Sequence, residues 1–334
     1  MKVAILQEQN QPFQIKTSSP PEIQTGEALV EIKAAALNHR DLWIQRGQYT
    51  GLKFPIILGS DGAGIVKKCQ SENSSHWLNQ EVMLCPSLNW GKQVLAQANS
   101  FEILGMPRNG TFAEQVSIPI ENLFPKPPHL SWEETAALPL AGLTAYRALF
   151  SRAKLQSQEN ILITGIGGGV ALFALQFALA TNANVYITSG SDQKLQRALQ
   201  LGALHGVNYR NDTWSQQLQQ EISCGFDVII DSAGGPSFSH LFDLLRPGGR
   251  IVFMGATQGN PPELPMRKIF WKQLSLLGTT MGNLKEFAEM LHFVTAHQIK
   301  PIIDKIFNLD EINIALQRLE QGEQFGKLIL KISD

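Results

Sequence analysis

Cysteine is scarce in this chain. Its 334 residues include 3 Cys, at Cys69, Cys85 and Cys224. They are odd in number and far apart, which excludes a disulfide framework and a C-x-x-C metal clip and suits a reducing compartment. Net charge is almost absent as well. The 28 Lys and Arg stand against 29 Asp and Glu, a formal charge of -1, so no broad field draws the chain to nucleic acid or to an anionic membrane. Long apolar runs are missing too. The most apolar segment, Val170–Ala180, is far too short to span a bilayer. The opening Met1-Lys-Val-Ala-Ile-Leu6 is cut off at once by polar residues, unlike a signal peptide. No internal repeat or low-complexity tract is present. We therefore expect a cytoplasmic protein with neither a nucleic-acid nor a membrane partner.

What is present is a globular balance, 43% hydrophobic and 17% charged, in a chain too long for a typical single core. One stretch stands out, Asn160–Ala174. The β-branched run Ile161–Thr164 suits a buried parallel strand. Gly165, Gly167, Gly168 and Gly169 follow, and then Val170 opens an apolar run that suits a buried helix. Strand, glycine turn and helix form the context of a dinucleotide site, where a Cβ would obstruct the pyrophosphate and helix N–H groups face it. The spacing is Gly165-x-x-Gly168-x-x-Ala171 rather than a literal G-x-G-x-x-G, so a tight turn without a ligand is the competing reading.

Taken in order, residues 1 to about 125 read as β-rich. Strand candidates are Met1–Leu6, Glu27–Ala35, Gly64–Lys67 and Thr111–Ile118, with an irregular excursion over residues 86–110. Pro125-Lys-Pro-Pro128 reads as a linker, and Ser131-Trp-Glu-Glu134 as a capping box opening a helix. A helix is expected over Leu143–Phe150. Strand–helix alternation follows through Val185–Thr188, Val228–Asp231 and Ile251–Gly255, which argues for a doubly wound parallel sheet. Helices are expected over Asn283–His297 and Asp310–Glu320, and a closing strand over Lys327–Ile332.

The tip of the second sheet strand selects the nucleotide. An acidic residue there would bind a ribose 2′-hydroxyl. The segment reads Ile187-Thr-Ser-Gly-Ser-Asp-Gln-Lys194 and puts no carboxylate at the tip. Ser189, Gly190 and Ser191 leave room for a 2′-phosphate and Lys194 supplies charge, although a solvated helix lysine is the plainer reading of Lys194. Asp192 is expected as the N-cap of the next helix. NADPH is the expected cofactor.

Several segments together resemble the medium-chain dehydrogenase/reductase superfamily, and within it the zinc-free quinone-oxidoreductase-like branch. They are Ala36-Leu-Asn-His-Arg-Asp-Leu-Trp43, Leu58-Gly-Ser-Asp-Gly-Ala-Gly-Ile-Val66, Gly110-Thr-Phe-Ala-Glu114, Ala136–Tyr146, the glycine turn, Leu201-Gly-Ala203 with Asn208-Tyr209, Leu245–Arg250 and Gly326-Lys-Leu-Ile-Leu330. The resemblance implies a GroES-like, partly open β-barrel catalytic domain made of residues 1–125 and 263–334. It implies a Rossmann NADP(H)-binding domain over 126–262, and an active site in the cleft. It also implies a homodimer through edge strands near Leu274–Gly278. The positions that match the catalytic-zinc ligands of the superfamily's alcohol dehydrogenases are Asn38, Ser60 and Leu140. An amide, a hydroxyl and an alkyl group do not form a tetrahedral thiolate–imidazole site. Only Cys85 remains where those enzymes carry a four-cysteine structural lobe.

Without zinc, an activated acceptor is easier to reduce than a simple alcohol is to oxidise. The expectation is an NADPH-dependent reductase of quinones or α,β-unsaturated carbonyls. Two alternatives stand: a zinc-type alcohol dehydrogenase with unusual ligands, and a non-catalytic NADPH-binding sensor or interaction protein. By the resemblance, Asn38 donates its amide to a substrate oxygen, while Asp41 either acts beside it or only orients the loop. Trp43 and Tyr49 either line the pocket or belong to the core. Thr144 lies near the nicotinamide, Gly255 with Thr280 and Met281 contacts the cofactor through backbone, and Tyr209 flanks the 2′-phosphate.

Overall fold

A computed structural model describes residues 1–71 and 74–333. The chain divides into two compact units, residues 1–143 with 282–334, and residues 144–281. No helix among the described residues is long and apolar enough to cross a membrane.

The first unit is built on Glu27–Ala36, whose inward positions Ala28, Val30, Ile32, Ala34 and Ala36 are buried. This alternation is the period-two pattern of a sheet strand with one face on a core. Asp61–Cys69, Gln115–Pro119 and Lys327–Lys331 all pair antiparallel with it. Glu81–Leu84 and Leu123–Pro125 extend the sheet on one side, and Ile303–Asn308 extends it on the other. A smaller sheet joins Gln14–Thr17, Lys2–Leu6 and Ile56–Ile57. The last strand thus closes onto the first half of the chain, with Ile329 opposite Ala36 and Lys331 opposite Ala34.

Small side chains permit a further layer. Ala34, Ala36 and Ala63 on the sheet meet Ala136 and Ala137 of the helix Trp132–Ala137. That helix is opened by Ser131, whose Oγ accepts from Glu134 N while Glu134 Oε2 accepts from Ser131 N, the expected capping box. Residues 126–143 therefore belong with the first unit rather than the nucleotide-binding half, because the alanine face has its partner there. Pro125 ends a sheet strand instead of starting a linker. The strand expected from Thr111 begins at Gln115, since Thr111 and Phe112 donate to Gly59 and Leu58. Inside the excursion over 86–110, Ser87–Leu88 pairs with Glu102–Ile103.

The second unit is a six-stranded, all-parallel sheet. In spatial order its strands are His205–Asn208, Asn184–Ser189, Asn160–Ile163, Phe226–Asp231, Leu245–Phe253 and Ser275–Gly278. Numbered along the chain this is order 3-2-1-4-5-6, the doubly wound arrangement whose crevice lies where strands 1 and 4 diverge. The sixth strand, Ser275–Gly278, explains why residues 263–281 stay in this unit. The helix Gly169–Ala180 is apolar all round and buries Leu172, Phe173, Leu175 and Phe177, as a helix enclosed by its own domain must. The helix expected over Leu143–Phe150 is Pro139–Tyr146, continued by a wider π turn, Arg147–Arg152.

Gly64 marks the tightest approach between Glu27–Ala36 and Asp61–Cys69, since a Cβ there would overlap the Glu31 carbonyl oxygen. Backbone cannot yield as a side-chain tip can. Gly64→Ala is expected to destabilise the first unit by about 2 kcal/mol or more, read as a lower thermal midpoint. An unchanged midpoint would contradict this packing.

Candidate functional site

In a parallel sheet every strand ends on the same edge, so the carboxyl ends gather residues that are distant in sequence. At the divergence of the first and fourth strands stands the glycine turn. Gly165 has φ 65° and Gly167 φ 127°, both in the region that favours glycine. The turn is held by Ile166 N donating to Thr188 O at 2.7 Å and Gly165 N to Thr188 Oγ1 at 3.2 Å. A Cβ at Gly165 or Gly168 would meet nothing within 4 Å. Gly168 is the N-cap of the long helix and offers no capping side chain, so Gly169 and Val170 begin a helix whose first N–H groups lack a side-chain acceptor. Open space before an uncapped helix N-terminus fits a pyrophosphate.

The tip of the second strand stands beside that turn. Ser189 Oγ donates to Ile166 O at 3.3 Å. Ser191, not Asp192, is the N-cap of the next helix: its Oγ accepts from Lys194 N, and Asp192 instead accepts from Asn208 Nδ2 at 2.7 Å. The reason is stereochemical, since Ser191 holds the extended N-cap backbone and Asp192 is already helical. The Lys194 side chain lies against Gly167 and the Tyr209 hydroxyl against Gly190. Arg210 Nε shares the space at Gly190. Sequence reading missed Arg210, although it directly follows the matched Asn208-Tyr209 pair. The corner carries a lysine, an arginine and a phenol, with no carboxylate at the strand tip.

The remaining cofactor candidates follow the same edge. Gly255 lies just past Leu245–Phe253, close to Ser232 O. Thr280 and Met281 follow Ser275–Gly278, where Thr279 N donates to Phe253 O at 3.0 Å and Met281 takes φ 41°. Thr144 is buried on Pro139–Tyr146. Asp231, also missed, ends the fourth strand and accepts from Thr164 Oγ1 at 2.6 Å and Gly234 N at 2.8 Å. Burial raises its carboxyl above the usual range.

In the first unit the Asn38 amide and the Leu140 backbone meet at a buried carboxylate, Asp61, which Ser60 directly precedes in the chain. Asp61 is 0% exposed. Its Oδ1 accepts from Leu140 N at 2.8 Å, and its Oδ2 accepts from Asn38 Nδ2 at 2.9 Å and Lys327 Nζ at 3.0 Å. Lys327, 4% exposed, also donates to Asn38 Oδ1 at 2.7 Å and Leu37 O at 2.8 Å. Ser60 Oγ donates to Leu104 O at 2.7 Å and accepts from the buried Arg40 Nη1 at 2.7 Å. These residues do not fit zinc. Asn38 supplies an amide already held by Lys327 and Asp61, Ser60 an occupied hydroxyl and Leu140 an alkyl chain, and no group of three His, Cys, Asp or Glu side chains fit for a metal exists among the described residues. Cys85 is no substitute, because it belongs to no group of three His, Cys, Asp or Glu side chains fit for a metal among the described residues; burial pushes its thiol up to about 12.

Asp41 sits behind Asn38 and accepts from Asn38 N at 2.8 Å. Among the described residues its other oxygen, Oδ1, has no hydrogen-bond partner, and neither do Nε and Nη2 of Arg40. Arg40 lies 5.3 Å from the Tyr49 ring centroid. Tyr49 packs against the first unit's core and Trp43 is half-buried, so both aromatics have a structural share.

Complete burial raises the Asp41 carboxyl to about 6, with Asp61 adding to the rise and Arg40, the Asn38 N–H and Lys327 opposing it. An unfolded Asp titrates near about 3.9, so between these values the folded chain keeps a proton that the unfolded chain has lost. The stability from neutral Asp41 is full below about pH 4 and is lost as pH rises through about 6, a swing of about 3 kcal/mol. Denaturation from pH 4 to 7.5 should show this loss in wild type and a flatter profile in Asp41→Asn. Equal slopes would contradict it. Asp231 contributes with the same sign to both proteins and cancels.

Residues 24–128 match the family described as alcohol dehydrogenase GroES-like domain, and residues 169–296 match the zinc-binding dehydrogenase family. The chain is 35% identical to the zinc-type alcohol dehydrogenase-like protein YogA of Leptosphaeria maculans, over 96% of this chain and 95% of that protein. It is 28% identical to quinone oxidoreductase-like protein 2 of Bos taurus, over 99% and 92% of the two chains. A crystal structure of an NAD-dependent alcohol dehydrogenase superposes with a TM-score of 0.93 at 32% identity, covering 100% of both chains. With its parallel Rossmann sheet and GroES-like domain, the chain belongs to the medium-chain dehydrogenase/reductase superfamily of pyridine-nucleotide-dependent oxidoreductases.

Proposed function

We propose that this protein is an NADPH-dependent reductase that delivers hydride to a quinone or an α,β-unsaturated carbonyl without zinc. One observation carries this reading: Asn38, at a zinc-matched position, has its carbonyl oxygen on the Lys327 ammonium and its amide on Asp61, and with Ser60 and Leu140 it makes a donor set that does not fit a Lewis-acidic metal. When bound, NADPH supplies the hydride. The glycine turn and helix N-terminus hold its pyrophosphate, and Lys194, Arg210 and Tyr209 hold the 2′-phosphate, whose charge the corner complements. The Asn38 amide donates a hydrogen bond to the acceptor oxygen as negative charge gathers on it, and water supplies the proton that completes reduction. A second reading, a zinc-type alcohol dehydrogenase with unusual ligands, draws on the names of several relatives.

Stopped-flow oxidation of NADPH by a panel of quinones and enals tests the reading. Turnover is expected with at least one acceptor. Lys194→Ala should weaken NADPH about 10- to 100-fold, the worth of one charged hydrogen bond, while leaving NADH nearly unchanged. No turnover with any acceptor, or equal losses for both nucleotides, would overturn it.

We further propose a homodimer. Met266, Phe270 and Trp271, the last 80% exposed, leave an apolar surface on the helix Met266–Trp271. It precedes the outermost strand Ser275–Gly278, whose far edge is unpaired within the sheet. Light scattering should give twice the 36.9 kDa chain mass, and the combined Phe270→Asp and Trp271→Asp substitutions should give the monomer. A monomeric wild type would contradict the assembly.

A further inference from the structure

The ion pair has a consequence for Asn38 that the fold does not require. Lys327 is an ammonium with three hydrogens and no acceptor, and Leu37 O, Asn38 Oδ1 and Asp61 Oδ2 engage all three. Asp61, when ionised, has acceptors and no donor. Asn38 lies between them, with its carbonyl oxygen on the ammonium and its Nδ2 on the carboxylate. An amide between a donor-only and an acceptor-only group has a single satisfied orientation; flipping it would set Nδ2 against the ammonium and Oδ1 against the carboxylate. With Oδ1 engaged by Lys327 and one Nδ2 hydrogen by Asp61, the second Nδ2 hydrogen is left to serve a ligand.

We propose that Lys327 is a positioning residue: with Asp61 it fixes the Asn38 amide so that one Nδ2 hydrogen is permanently presented to the acceptor oxygen, in a site whose zinc-matched side chains do not fit a metal. The inference deepens the reductase reading and rests on it for the identity of the acceptor. The orientation itself rests only on the buried hydrogen bonds. A preorganised donor needs no reorientation as charge develops, which is where such a group contributes most. The pair is also structural, because it ties the closing strand Lys327–Lys331 to Asp61. Lys327→Met alone would leave Asp61 charged and unpaired in the interior, and that form is expected to unfold readily.

The test therefore uses the full chain as wild type and as the double variant Lys327→Met with Asp61→Asn, which removes both charges. Side-chain amide NMR follows the Asn38 hydrogens, identified by their loss in Asn38→Ala. In wild type we expect at least about tenfold protection of the Asp61-bonded hydrogen from solvent exchange. In the double variant we expect this protection to vanish and kcat to fall about 10- to 100-fold, with the NADPH dissociation constant unchanged. A double variant that keeps both the wild-type Asn38 signals and kcat would show a purely structural pair and overturn the proposal. If the double variant does not fold, wild type alone decides, since Asn38 hydrogens that exchange as fast as those of exposed asparagines overturn it. Absence of turnover with every acceptor would defeat the reductase reading and leave the NMR result to decide the orientation.

Discussion

A buried ammonium bonded to a buried carboxylate, from residues 266 positions apart, ties the closing strand of the first unit to its central sheet. Lys327 belongs to the last strand and Asp61 to a central one. Two charges taken from water at this depth are tolerable only with their hydrogen-bonding capacity filled, and Asn38, Leu37 and Leu140 fill it. The same bonds place the amide proposed to meet the substrate. They also set a fixed positive charge beside Asn38, one of the three zinc-matched positions, and a second cation close to it would be repelled in a poorly screened interior.

The second unit depends on a different constraint. Parallel pairing forces every strand end to one edge, so the glycine turn, the Ser189–Ser191 corner, Asp231, Gly255 and the Thr279–Met281 turn share that edge without any being near the others in sequence. Glycines at Gly165 and Gly168 keep the space before the helix open. The basic corner at Lys194, Tyr209 and Arg210 carries the charge on which the proposed preference for a 2′-phosphate rests.

Much of this was legible in the residues. The glycine turn, the strand–helix rhythm and the Ser131 capping box are local signals, each carried by adjacent residues with a physical reason to be there. The strand–helix order of the second unit could be read at four of its six sheet strands, Asn160–Ile163, Asn184–Ser189, Phe226–Asp231 and Leu245–Phe253, because turn residues punctuate their ends. What was not legible depends on distance. Lys327 and Asp61 each lay inside a quoted motif, yet nothing local marks them as partners. The alanine face of Trp132–Ala137 looks like any apolar helix until Ala34, Ala36 and Ala63 are seen beneath it, and so the unit border was set too early. Ser191 and Asp192 are both good caps, and only backbone geometry separates them. The edge strand Ser275–Gly278 is four residues long and half exposed, too weak a pattern to extend the sheet without its neighbour.

Hydride transfer is proposed here to proceed without zinc, at an Asn38 amide held by the Lys327 ammonium. The most direct measurement is the rate of NADPH oxidation by an enone or quinone acceptor as a function of zinc content, after chelation and after graded return of the metal. A rate independent of zinc is expected, with the protein active when its metal content is far below one per chain. Activity that is absent after chelation and returns in proportion to one zinc per chain would contradict it.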